Sequence, residues 1–213
     1  MCASVEPLGY SVMDTEVRGL SSPTRRVMLG TRFYVLFALF VLVQFPLHEL
    51  GHLVAYQLAG IPAEMSLNRT TPIDPGVEHV GAVLAGPLLT IAIAALGAWG
   101  FWHFGRFRLT WAAVALSAAM FRLLLYLWVA IAVLSGSGVG SNDEPLAAEL
   151  LGLPDLTFVA LFTVPVLIVI ATVMAGVESS PLRKLGHIAL MLVITFAIAT
   201  ITEQGIQPLL FPA

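Results

Sequence analysis

The chain has 213 residues, of which 58% are apolar and 11% charged, with a mean hydropathy of +0.92. A soluble domain of this size carries about 25% charged residues, and a disordered chain needs low hydrophobicity and high charge, so both classes are excluded. The formal charge of −3 and one cysteine, Cys2, argue against a nucleic-acid binder, a disulfide scaffold and a Cys-rich zinc module.

What remains is an all-α integral membrane protein, a polytopic bundle. Its apolar runs predict five transmembrane helices, at about 31–59, 79–103, 109–134, 157–177 and 185–203. The uninterrupted runs 80–105, 156–177 and 185–202 are each near the roughly 20 residues that cross the hydrocarbon core, while the first span is broken by a polar cluster and the third carries Arg122. Residues 1–30 read as a polar cytoplasmic tail, without the apolar core and cleavage site of a signal peptide. Such a tail either lies loose or covers the bundle mouth. Residues 31–213 read as one transmembrane domain, with short connections and no internal repeat.

The basic residues suggest an orientation. Arg18, Arg25, Arg26, Arg32, Arg106, Arg108, Arg183 and Lys184 fall on one side of a five-span topology, and Arg69 on the other. The positive-inside rule then predicts a cytoplasmic N-terminus and an outer C-terminus, with a bacterial cell membrane the expected location.

Near the outer end of the first helix stands His48-Glu49-Leu50-Gly51-His52, an H-E-x-x-H pattern. On a helix the two histidines lie about 40° apart and one turn along, so both imidazoles reach one ion. Two neutral imidazoles suit Zn²⁺, and Glu49 on the flank is placed to act as general base toward a water. The plain alternative is a solvated polar helix end, which leaves two His and a Glu costly to bury. Gln44 extends the stripe inward, Gly51 and Ala55 let a neighbouring helix approach, and Pro46 should kink or loosen the helix.

A catalytic zinc needs a third ligand, and topology restricts it to the outer side. Asp143, in the loop after the third helix, is the first choice and Glu144 the substitute, with His79 weaker. Alternatively Asn142 or Asp143 caps a short helix over 145–151, and one carboxylate can do both. Gly136, Gly138 and Gly140 resemble a phosphate loop only superficially, since no Lys follows; a hinge fits better. Arg122 sits inside the third span, at about the level of His48, and should pair. It has three readings: a salt bridge to Glu49 or Asp143, a catalytic group steadying an oxyanion, or an assembly contact to backbone carbonyls. The stretch 62–78, rich in Pro, Asn, Asp and Thr, is either a plain surface loop or a hairpin able to hold an extended strand.

With His48-Glu49-Leu50-Gly51-His52 on one membrane helix and Leu84-Ala85-Gly86-Pro87 early in the next, the chain resembles the site-2 protease class of intramembrane zinc metalloproteases. Thr90 stands where that family usually has Asn. The resemblance implies cleavage of membrane-embedded polypeptides, with His48, His52 and Asp143 as zinc ligands and Glu49 as base. It covers the first three helices and the loop after them. The alternatives are a non-catalytic binding or assembly protein of the same fold, and a transporter using the buried polar groups.

Overall fold

Helices that are apolar on every side have no solvent face to offer, so they span a bilayer and turn their small and polar residues toward each other. The computed structural model describes residues 27–74, 76–138 and 142–210 and is built in this way. Among the described residues five helices are long and apolar enough to cross a membrane. They are α1 (Thr31–Leu58), α2 (Val80–His103), α3 (Arg108–Ser135), α5 (Thr157–Ala175) and α6 (Pro181–Ile201). A short α4 (Asp143–Leu150) lies between α3 and α5. Strands β1 (Ala63–Met65) and β2 (Thr70–Pro72) pair antiparallel between α1 and α2, with Ala63 opposite Pro72. A short hairpin therefore forms within 62–78.

α6 begins four residues before the expected Leu185. Ser180 caps it, its hydroxyl accepting from the Arg183 N–H at 3.4 Å, and Pro181 occupies the first turn, where a missing N–H costs nothing. Charge at Arg183 and Lys184 hides this start from a hydropathy reading. Lys184 donates to the Met174 carbonyl at 2.6 Å, which closes the α5–α6 turn. Beyond Ile201 the span continues as a π turn, Thr202–Ile206, and a last helical turn, Gln207–Leu210.

The expected tail at 1–30 lies outside the described residues up to position 26. Its last four residues are not loose. Val27 exchanges backbone hydrogen bonds with Gly176 and Glu178, at 3.1 and 3.0 Å, and Leu29 is buried in the core.

Close helix contact rests on missing side chains. A Cβ on Gly97 of α2 would stand 2.6 Å from the Ala115 backbone nitrogen of α3, and one on Gly51 of α1 would stand 2.9 Å from the Ala85 carbonyl oxygen of α2. Large apolar residues such as Val35, Leu39, Leu96, Trp128, Ile168 and Phe196 face outward, the surface that lipid covers. α1 runs unbroken through Pro46. Its inner stripe begins as Phe33, Phe37, Val41 and Phe45 and then becomes polar, as Gln44, His48, Glu49 and His52, all buried. Apolar packing holds the N-terminal half; the C-terminal half needs another account.

Candidate metal centre

That account starts from the second helix. Residues 82, 83, 86, 87 and 90 form the buried stripe of α2 facing the polar part of α1. At Gly86 a Cβ would lie 2.7 Å from His52 Cδ2 and 2.8 Å from His48 Cε1, so the two rings occupy the space that only a glycine leaves. Both rings are then held from behind. His52 Nδ1 donates to the Ala82 carbonyl at 2.8 Å, and a carbonyl can only accept, so that nitrogen carries the proton. The Thr90 hydroxyl donates to the Gly86 carbonyl at 3.0 Å, which leaves its oxygen to accept from His48 Nδ1 at 3.1 Å. In their neutral forms both imidazoles thus present a bare Nε2 lone pair.

The two Nε2 atoms face each other at 3.1 Å. Asp143 Oδ2 joins them, at 2.9 Å from His48 Nε2 and 3.4 Å from His52 Nε2. Three acceptors at such short distances, two of them buried and one at the edge of the cleft, converge stably with a cation, a proton or a metal ion, among them. Among the described residues this is the one group of His, Cys, Asp and Glu side chains arranged to hold a metal, with ligand atoms within 4.8 Å of one another. Two imidazoles and a carboxylate, with backbone and hydroxyl acceptors behind the imidazoles, are the donor set of an open zinc site and its outer shell. The residues fit the metal.

The carboxylates of Asp143 and Glu144 part company. Asp143 is the first residue of α4, with Asn142 at the N-cap, and successive helical residues point about 100° apart. Asp143 therefore turns to α1 while Glu144 turns to α3. Glu144 Oε1 is ion-paired with Arg122 Nη2 and accepts from the Tyr126 hydroxyl at 3.1 Å. Two expectations are corrected here. Glu144 is not at the histidines, and the ion-pair partner of Arg122 is neither Glu49 nor Asp143. The carboxylate nearest to Arg122 along the wall of the bundle is the one released by the helical turn of α4. The short helix also starts at Asp143 rather than Pro145, so this one residue both opens the helix and reaches the imidazoles. His79 precedes α2 as an exposed N-cap, outside the group. Of the three loop glycines, Gly136 and Gly138 have positive φ, at 69° and 76°, and Gly140 lies outside the described residues.

Glu49, His52 and Asp143 line one cleft of about 330 Å³ with Tyr56, Arg69 and Glu78. Strand β2 forms part of the same wall, and Thr70 Oγ1 donates to the Glu49 carbonyl at 3.1 Å, which ties the hairpin to α1 beside the base candidate.

Thr90, Tyr126 and the Ala82 carbonyl escaped the sequence reading as site groups. For Thr90 a signal existed: it stands one helical turn beyond Gly86, on the face that Leu84-Ala85-Gly86-Pro87 presents to α1. No match was found among protein-family models, curated proteins or solved structures.

Proposed function

We propose that the protein is an intramembrane zinc endopeptidase, acting on polypeptides that enter the bilayer. The observation that carries this reading is the convergence of His48 Nε2, His52 Nε2 and Asp143 Oδ2 beside Glu49, with both Nδ1 atoms already committed as donors. His48, His52 and Asp143 would hold the zinc, which when bound supplies Lewis acidity toward a carbonyl oxygen and lowers the pKa of water.

The chain's own residues supply the rest. The Glu49 carboxylate, inside the cleft, takes the proton of the attacking water and hands it to the departing amine nitrogen. Thr90 and the Ala82 carbonyl keep the rings from turning. A hairpin of two strands leaves the outer edge of each strand unpaired, and β2 lies along the cleft. It thus offers backbone groups to a substrate segment that has unwound into an extended strand. The distribution of Lys and Arg supports a cytoplasmic N-terminus and a site opening toward the outer side.

The deciding experiment compares wild type with Glu49→Gln, purified in detergent, for bound zinc and for cleavage of a membrane-spanning substrate. Both proteins are expected to hold stoichiometric zinc, with cleavage reduced by roughly 10²-fold or more in the variant. A wild type without zinc, or a Glu49→Gln variant that still cleaves at the full rate, overturns the reading.

A further inference from the structure

The third side chain of the metal set arrives on a short segment between two spans. After α3 ends, the chain passes Gly136 and Gly138 and enters α4, an eight-residue helix whose first residue is Asp143. A helix that short is marginal by itself. Pro145, Ala147 and Ala148 are buried on it, and it packs against α2 and α5, but none of these apolar contacts fixes the direction of its first side chain.

The next residue does. Glu144 is buried with its carboxylate against Arg122 and the Tyr126 hydroxyl, two groups one turn apart on the same face of α3. Arg122 is fully buried, its Nε lies 3.4 Å from the Tyr126 oxygen, and its guanidinium carbon lies 5.1 Å from the Tyr126 ring centre. Consecutive Cα atoms are about 3.8 Å apart, so fixing Glu144 also fixes the backbone of Asp143. The roughly 100° between successive side chains then aims the Asp143 carboxylate at the histidines of α1.

We propose that Arg122, Tyr126 and Glu144 form a clamp that positions Asp143 on His48 and His52. They are positioning residues, and they touch neither substrate nor metal. The proposal rests on reading His48, His52 and Asp143 as a metal-binding set, and it assigns the buried Arg122–Glu144 ion pair to assembling that set. A buried pair of this kind holds one geometry firmly, because either charge without its partner is costly in a membrane interior.

The test uses the full-length protein in nanodiscs, as wild type, Glu144→Ala, Tyr126→Phe and the neutral double variant Arg122→Gln/Glu144→Gln. The double variant leaves no unpaired buried charge, so it guards against a simple failure to fold. Amide exchange is measured on chelator-treated protein, and Co²⁺ affinity and visible absorption on the same preparations. Glu144→Ala and the double variant are expected to speed exchange across 144–150 by about tenfold or more, with 31–58 and 80–103 as protected as in wild type. Co²⁺ should bind about tenfold or more weakly, with the visible band altered as one oxygen ligand is lost, and Tyr126→Phe should shift both readouts less in the same direction.

Wild-type exchange in α4 in both Glu144→Ala and the double variant overturns the clamp. So does loss of protection spread evenly over all the spans, which would make the pair a general assembly contact. So does accelerated exchange in α4 with unchanged Co²⁺ binding. A wild type that takes up no Co²⁺ defeats the metal reading, and the metal-free exchange data still decide whether the clamp docks α4.

Discussion

Replacing Thr90 by Val changes a hydroxyl to a methyl at nearly constant shape, and its consequence follows from one hydrogen. His48 Nδ1 donates to Thr90 Oγ1 at 3.1 Å in a buried space. In the variant that N–H faces a methyl group. A buried donor without a partner costs about 1–3 kcal/mol. The metal-bound form must keep the ring in place with Nε2 toward the ion, whereas the metal-free ring is able to turn and find another acceptor. The penalty therefore falls mainly on the bound form, and 1–3 kcal/mol corresponds to a loss of roughly 5- to 150-fold in zinc affinity. Outer-shell partners of metal-bound histidines are worth about 10- to 100-fold, within the same span. The assay is competition for zinc against a chromophoric chelator in detergent, with Thr90→Ser and Thr90→Asn as partners, since both keep an oxygen that accepts. The expected order is wild type close to Ser, Asn near them, and Val weakest. Equal zinc affinity in Val and wild type, or Ser as weak as Val, refutes the tautomer assignment on which the site is built.

Other expectations follow from the same geometry. Gly86→Ala puts a Cβ where the two imidazoles stand, an overpacking of about 1–3 kcal/mol; zinc content by mass spectrometry should drop while the helical circular dichroism stays. Gly97→Ala forces α2 off the Ala115 backbone and should lower unfolding stability by about 1–3 kcal/mol, whereas Gly186→Ala, with open space around it, should be neutral or stabilise by up to about 1 kcal/mol; denaturant titration in mixed micelles separates the two. Asp143→Ala should release zinc that Glu49→Gln retains, and equal zinc in both variants would remove Asp143 from the set.

The five spans were legible because the signal for them is local: a run of about 20 apolar residues has one economical environment whatever its neighbours are. The pair His48 and His52 was legible for the same reason, since four residues on a helix fix their mutual geometry. Asp143 was reachable by topology, which restricted the search to one side of the membrane. Glu144 was not distinguishable from it, because adjacent carboxylates in a glycine-rich loop look alike until the first turn of α4 sends them to different helices. The start of α6 was missed where Arg183 and Lys184 interrupt the apolar run, although Ser180 and Pro181 carry a start signal of their own.

By itself the sequence determined a charge-poor, five-span helical membrane protein with an H-E-x-x-H turn near one end of its first helix, because composition and short-range spacing act within a single element. Only the tertiary structure decided which groups meet: Thr90 and Ala82 behind the histidines, Gly86 beneath their rings, Asp143 against their Nε2 atoms, and Arg122 with Glu144. Those pairings join residues from 30 to 95 positions apart in the site, and 22 apart in the clamp. Contacts at such distances depend on how helices pack, and packing is set by small residues such as Gly51, Gly86 and Gly97, whose meaning appears only when the neighbouring backbone is in view.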